Sequence, residues 1–128
     1  MNKPLILITN DDGYNALGLS SLVEAVKDLG ELLVVAPDRP QSGMGHAITV
    51  NEPLRCYPID FFENIKVFCC TGTPVDCVKM GLYQLNDRKP DLILSGINHG
   101  SNVSTNVLYS GTMSAAVEGA LEGIKSIG

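Results

Sequence analysis

The sequence predicts an α/β fold in which helices cover both faces of a mostly parallel sheet. Two wholly aliphatic segments, 5–8 and 32–36, are typical of strands buried on both faces. Apolar residues at helical spacing lie between them, so this part of the chain forms a strand–helix–strand unit with a right-handed crossover. Strand and helix signals then alternate to the end of the chain, which indicates three layers, with helices on either side of the sheet.

The first helix is predicted from one apolar face that continues to a glycine. Gly30 is expected to cap the carboxyl end of this helix, because a C′ position favours glycine. The apolar positions are Leu17, Leu19, Leu22, Val23, Val26 and Leu29.

The second half of the chain predicts two more helices and two more complete strands. Segment 65–70 is a strand, after which Thr73 caps a helix that Pro74 begins, with Asp76 assisting the cap. Segment 91–95 is the fourth strand, 113–123 is a helix of small residues, and 124–128 begins a further strand. Segment 47–57 is interpreted as extended and 58–64 as a turn region.

Composition limits the classes of function. The chain of 128 residues forms one domain, 1–128, and its net charge of −5 argues against broad binding to a nucleic-acid duplex. No apolar run has the length of a membrane span, and the N-terminus lacks an export signal. The four cysteines show no CxxC spacing, and three of them fall within apolar strand or helix patterns, where we interpret them as small buried apolar residues. A reduced, cytoplasmic protein is the simplest account. A redox role for the adjacent pair Cys69 and Cys70 is the alternative.

Polar residues follow each predicted strand. Because the carboxyl ends of parallel strands meet at one edge of a sheet, we expect these residues to converge. Individually, an Asp-Asp-Gly sequence is most often a solvated turn, and loop residues such as Ser42 and His46 most often form local hydrogen bonds. Together they offer carboxylate, hydroxyl and amide oxygens, which suit Mg²⁺ or Mn²⁺ rather than zinc. The converging residues are Asp11, Asp12, Ser42, Thr71 to Thr73, and Asn98.

The last predicted helix begins with Ser110, Gly111 and Thr112. Free backbone N–H groups and the helix dipole favour a phosphate at this position. Plain capping of the helix is the alternative interpretation.

Several short blocks, in this order, resemble the signature blocks of the SurE family, the stationary-phase survival proteins that are 5′/3′-nucleotidases. The resemblance begins near residue 5 and continues to the C-terminus. The blocks are 8–13, 36–39 with Ser42, 45–46, 72–77, 95–100 and 110–112.

The resemblance implies a Rossmann-like fold and a phosphatase that hydrolyses nucleoside 5′- and 3′-monophosphates, and also polyphosphate, with a water activated by a divalent metal. One Mg²⁺ or Mn²⁺ ion per subunit is implied, together with assembly into a dimer or tetramer. The implied metal ligands are Asp11, Asp12, Ser42 and Asn98, with Asp11, Asp12 and Asn98 as the catalytic residues. The implied phosphate-binding residues are Asn102, Ser110, Gly111 and Thr112.

The chain departs from the family in length, since members of the family continue well beyond residue 128. We therefore interpret it as a truncated N-terminal portion in which the C-terminal part of the family fold is missing. An aspartyl-phosphate intermediate is the mechanistic alternative. A non-catalytic nucleotide-binding module is the functional alternative, although no GxGxxG sequence follows the first strand.

Overall fold

The computed structural model describes residues 3–40, 53–85, 88–98 and 111–128. These residues form six strands and three helices. In chain order they are β1 (Leu5–Thr9), α1 (Leu17–Val26), β2 (Glu31–Pro37), β3 (Cys56–Ile59), β4 (Lys66–Cys70), α2 (Pro74–Leu85), β5 (Leu92–Ser95), α3 (Gly111–Leu121) and β6 (Ser126–Ile127).

The strands form one sheet in the order β3-β4-β2-β1-β5-β6. Every neighbouring pair is parallel except β3 and β4, which are antiparallel. The chain adds β2 and β4 on one side of β1 and then crosses to add β5 and β6 on the other. The strand order therefore reverses between β1 and β5, and in open α/β sheets ligands bind outside the carboxyl ends of the strands at such a point.

Both faces of the sheet are covered, which confirms the three-layer prediction. On one face, Ile6 and Ile8 pack in a core with Leu19 and Val23 of α1. On the other face, Leu7 packs in a core that includes residues of α2 and α3. This alternation along β1 buries both sides of the strand, as its unbroken aliphatic sequence predicts.

The first helix is shorter than its apolar spacing predicts. It ends at Val26, and the side chains of Leu17 and Leu29 are 85% and 64% exposed. The expectation that Gly30 caps this helix is wrong, because the C-cap is Lys27. A side chain at position 30 would collide with the carbonyl oxygen of Pro4, so the close approach of two backbones explains this glycine.

The interpretation of 58–64 as a turn region is wrong at its beginning, where Pro58 and Ile59 belong to β3. β3 lies at the edge of the sheet that the described residues form, and an edge strand tolerates a proline because it needs fewer ladder hydrogen bonds. The expected strand near the end of the chain is confirmed by β6, which pairs with β5. None of the three helices named above is long and apolar enough to cross a membrane.

All four cysteines are free thiols. Cys69 and Cys70 are consecutive residues of β4, so their side chains point to opposite faces of the sheet. Cys70 and Cys77 belong to the core between the sheet and α2, where burial raises the pKa of Cys77. This placement agrees with cysteines that act as small buried apolar residues.

Candidate metal and phosphate site

The turn after β1 is closed by the side chain of Asn10. The Asn10 Nδ2 donates to the carbonyl oxygen of Gly13 at 2.8 Å, and the Gly13 N–H donates to Asn10 Oδ1 at 3.2 Å. Gly13 has φ +108°, a conformation that favours glycine. The next N–H, of Tyr14, donates to the carbonyl oxygen of Pro37 at 3.0 Å, which ties the turn to the end of β2. These bonds hold Asp11 and Asp12 at the carboxyl end of β1.

Asp11 is a buried carboxylate whose hydrogen bonding is incomplete. Asp11 is only 6% exposed, and its Oδ1 has no hydrogen-bond partner within the described residues. Burial raises the pKa of Asp11, and the neighbouring charge of Asp12 raises it further. A buried carboxylate without compensating donors is costly unless a cation accompanies it.

The N-terminus of α3 approaches this carboxylate closely. A Cβ at Gly111 would collide with Asp11 Oδ1, so only glycine leaves room for the carboxylate beside the first residue of the helix. The next residue, Thr112, is buried, and its hydroxyl donates to Asn98 Oδ1 at 3.2 Å. The start of α3 therefore contacts both the turn after β1 and the loop after β5.

The loop after β5 is also fixed against α1. The Ile97 N–H donates to the carbonyl oxygen of Gly18 at 3.2 Å, and a Cβ at Gly18 would collide with the Ile97 carbonyl oxygen. The peptide bond between Gly96 and Ile97 is cis. A cavity of about 510 Å³ lies at this junction, lined by Asp12, Ala16, Leu17, Gly18, Ile97 and Asn98.

The structure therefore brings five of the sequence-predicted residues to one corner of the sheet: Asp11, Asp12, Asn98, Gly111 and Thr112. The corner lies between the ends of β1 and β5, where the strand order reverses. Ser42, His46, Asn102 and Ser110 lie outside the described residues, so their roles stay predictions.

The donor set of this corner is hard and oxygen-only. Within the residues that the structure describes, no group of three or more His, Cys, Asp and Glu side chains could hold a metal ion. The corner instead combines two carboxylates with the amide oxygen of Asn98. This combination suits Mg²⁺ or Mn²⁺ better than a softer metal.

Thr71 and Thr73 make hydrogen bonds that organise the chain after β4. The Thr73 N–H and Oγ1 donate to Asp76 Oδ2 at 2.8 and 3.0 Å, and the Asp76 N–H donates to Thr73 Oγ1 at 3.2 Å. This reciprocal pair caps α2, as the sequence predicts. Thr71 Oγ1 accepts a hydrogen bond from the Arg55 N–H at 2.9 Å.

Sequence reasoning missed two residues that build the site. Asn10 follows a strand and precedes Asp-Asp-Gly, so a side-chain-closed turn could have been proposed for it. Gly18 interrupts an apolar helical pattern, and a glycine inside a helix often marks close packing. The partner of Gly18 could not be found from this local signal.

Comparison with known proteins identifies relatives over nearly the whole chain. The 5′-nucleotidase SurE of Cytophaga hutchinsonii is 59% identical over 129 residues, which cover 100% of this chain and 50% of the relative. The 5′-nucleotidase SurE of Christiangramia forsetii is 59% identical over 128 residues, covering 98% of this chain and 49% of the relative.

A solved structure agrees with these relatives. The crystal structure of the SurE protein from Aquifex aeolicus matches with a TM-score of 0.86 and 48% identity, covering 96% of this chain and 49% of that one. The chain thus spans about half the length of the relatives it matches. The family model described as survival protein SurE matches residues 6–128. The chain belongs to the SurE family.

Proposed function

We propose that this chain is the N-terminal portion of a divalent-metal-dependent phosphatase that hydrolyses nucleoside 5′- and 3′-monophosphates, with polyphosphate as a further substrate. The observation that carries the proposal is the Asp11 carboxylate, buried beside Asp12 where the strand order reverses, with one oxygen unpartnered within the described residues. Relatives named 5′-nucleotidase support the choice of substrate class.

The residues present fit a hard divalent cation. Asp11 and Asp12 would supply carboxylate oxygens, Asn98 an amide oxygen, and Ser42 is the fourth ligand predicted by the resemblance. A bound Mg²⁺ or Mn²⁺ supplies positive charge that stabilises the phosphoryl group and lowers the pKa of water. The unpartnered Asp11 Oδ1 supports this assignment, since a cation removes the cost of burying that charge.

The residues around the metal ligands would position the substrate. Gly111 and Thr112 are the first residues of α3, and the free backbone N–H groups at the N-terminus of a helix stabilise an anion. The Thr112 hydroxyl holds the Asn98 side chain through Oδ1. Without a cation, Asp11 and Asp12 would repel a phosphate dianion, so the proposal requires that activity depends on the metal.

Asp11 or Asp12 could alternatively act as a nucleophile and form an aspartyl phosphate. We favour attack by water, because a carboxylate that holds a cation is a poor nucleophile. Trapping of a phosphorylated aspartate would reverse this preference. Assembly into a dimer or tetramer stays a prediction of the resemblance, and a cytoplasmic location stays a prediction from the cysteine pattern.

The test is phosphate release from adenosine 5′- and 3′-monophosphate, measured with Mg²⁺, with Mn²⁺ and with a chelator. The full-length 5′-nucleotidase SurE of Cytophaga hutchinsonii is the positive control. We expect release by this chain that stops on chelation and in Asp11→Asn. Release that survives both changes contradicts the metal assignment. Nucleotide binding without release would instead support the non-catalytic nucleotide-binding alternative.

A further inference from the structure

We propose that Leu17 and Ile97 form an aliphatic shelf that binds the nucleobase of the substrate. This inference rests on the proposed function and adds to it a specificity-determining surface. Both side chains line the cavity of about 510 Å³ that also contains Asp12 and Asn98. One cavity therefore joins a polar, metal-binding end to an apolar end.

The exposure of the two side chains is the first observation behind this inference. Leu17 is 85% exposed and Ile97 is 54% exposed, although each is a large aliphatic residue. A single exposed leucine is common on protein surfaces and needs no explanation. Here two exposed aliphatic residues line the same cavity as two predicted metal ligands. Such a cavity can remove an apolar part of a ligand from water.

The shelf is held in place by backbone contacts. Ile97 belongs to the loop after β5, whereas Leu17 is the first residue of α1. Gly18 connects the two elements, because its carbonyl oxygen accepts the Ile97 N–H and its lack of a Cβ allows the approach. The two backbones therefore keep their relative position without a bound ligand, which reduces the entropy lost when the two residues bind one.

The chemistry of the cavity fits a nucleoside monophosphate. A phosphate has to lie near Asp12, Asn98 and Thr112, where the cation and the start of α3 would hold it. The nucleobase is the flat, weakly polar part of the same molecule, and its faces can pack on aliphatic side chains. The volume is within the range of about 300–1,000 Å³ that small-molecule sites occupy.

A second cavity of about 390 Å³ shares Ile97 and Asn98 with the first and is also lined by Ile127 and Gly128, so Leu17 is the shelf residue that distinguishes the two cavities. It contains Thr112 and Asn98 but not Asp12. We choose the Leu17 side because that cavity includes a carboxylate of the Asp11–Asp12 pair. Binding on the β6 side is an outcome that would overturn the choice.

The first arm of the experiment compares substrates with and without a base. Hydrolysis of adenosine 5′-monophosphate and of ribose 5-phosphate is measured for the wild-type chain, Leu17→Ser and Ile97→Ser. We expect kcat/KM for the nucleotide to fall roughly three- to tenfold more than that for ribose 5-phosphate. Leu29→Ser is the matched control, since Leu29 is 64% exposed and does not line this cavity.

The second arm needs neither metal nor turnover. Binding of adenosine, which carries no phosphate, is followed by NMR chemical shifts in the presence of a chelator. We expect shifts at Leu17 and Ile97, and weaker binding in both serine variants but not in Leu29→Ser. The inference is overturned if adenosine does not bind, if it shifts Ile127 instead, or if all three variants behave alike.

The two arms separate this inference from the proposed function. If neither phosphate ester is hydrolysed but adenosine binds at Leu17 and Ile97, the proposed phosphatase function is wrong and the proposed nucleobase site is supported. If both esters are hydrolysed and both serine variants lower the two kcat/KM values equally, the shelf fails and the phosphatase stands. Leu17 is largely exposed, so Leu17→Ser is expected to fold like the wild type.

Discussion

Two buried aspartates lie near helix N-termini in this molecule, and their surroundings differ. Asp76 is fully buried in the first turn of α2, where its Oδ2 accepts hydrogen bonds from the N–H and Oγ1 of Thr73. Asp11 is 6% exposed beside the first residue of α3, and its Oδ1 has no partner within the described residues. One oxygen of Asp76 thus accepts hydrogen bonds from the helix end that it caps, whereas no such pair of donors is seen at Asp11 among the residues described, and burial together with the charge of Asp12 raises the pKa of Asp11.

The comparison suggests how to tell a structural carboxylate from one that serves a ligand. Asp76 accepts hydrogen bonds that cap the start of α2 through its Oδ2. Asp11 costs free energy in the isolated protein, because burial and the charge of Asp12 both disfavour its ionised form. Such a residue is explained most simply if a cation offsets the cost. Four predictions test this difference, in order of decreasing expected effect.

Asp11→Asn should remove most of the phosphatase activity. The loss of a charged ligand is expected to lower phosphate release from nucleoside monophosphates by roughly 10²- to 10³-fold and to weaken binding of Mn²⁺. Phosphate release and calorimetric metal titration measure the two effects. Asp60→Asn is the control, because Asp60 is exposed and lies after β3, away from this corner. Equal activity of Asp11→Asn and the control would end the assignment of Asp11 as a ligand.

Asp76→Ala and Asp11→Asn should change stability in opposite directions when no metal is present. Removal of Asp76 leaves buried donors of Thr73 without their acceptor, so the free energy of unfolding should fall by about 1–3 kcal/mol. Asp11→Asn removes a buried charge, and the free energy of unfolding should rise by about 1 kcal/mol. Urea unfolding in a chelator measures both. If Asp11→Asn destabilised the protein as much as Asp76→Ala, the two corners would not differ as argued.

Thr112→Val should have a smaller effect that is concentrated on the metal. The substitution keeps the shape of the side chain but removes the hydroxyl that donates to Asn98 Oδ1. Outer partners of metal ligands typically contribute 10- to 100-fold in affinity, and we expect roughly tenfold for this one neutral hydrogen bond. Thr71→Val is the matched control, since the Thr71 hydroxyl binds the Arg55 N–H near β3. An equal loss of Mn²⁺ affinity in both variants would mean that the effect is unspecific.

Local sequence signals predicted the elements whose causes are local. The aliphatic segments became β1 and β2 because a strand buried on both faces needs no other pattern. The cap of α2 was predicted because Thr73, Pro74 and Asp76 act within one helical turn. Asp11 and Asp12 were predicted as site residues because they directly follow β1.

Features that depend on distant partners could not be predicted in this way. The extended segment predicted to end at Tyr57 did not include Pro58 and Ile59 of β3, because this strand contains a proline, lies at the edge of the described sheet and lacks the buried aliphatic pattern. Apolar spacing placed Leu17 and Leu29 on the buried face of α1, although both are exposed, because spacing does not reveal where the neighbouring elements end. The contact between Gly18 and Ile97 joins two elements far apart in the sequence, and one sequence alone carries no signal for such a pair.

The smallest predicted effect is a pH dependence of the free energy of unfolding that arises from the carboxylate of Asp11. Because the pKa of Asp11 is raised above its ordinary value of 3.8, the folded state holds this proton more tightly than the unfolded state. The resulting cost to stability is absent below the unfolded pKa, grows as the pH rises, and is complete above the folded pKa. In a chelator, the stability advantage of Asp11→Asn over the wild type should therefore increase with pH and then level off.

Urea unfolding of both proteins at several pH values measures this difference, with Asp60→Asn as the control at an exposed carboxylate. Adding Mn²⁺ at neutral pH should make the wild type the more stable protein, because an ion that binds only the folded state stabilises it in proportion to RT ln(1 + [L]/Kd). If the difference in the free energy of unfolding between Asp11→Asn and the wild type did not change with pH, the ionised form of Asp11 would not destabilise the folded protein. In that case the charge of Asp11 would already be compensated in the isolated protein, and the physical reason for placing a cation there would disappear.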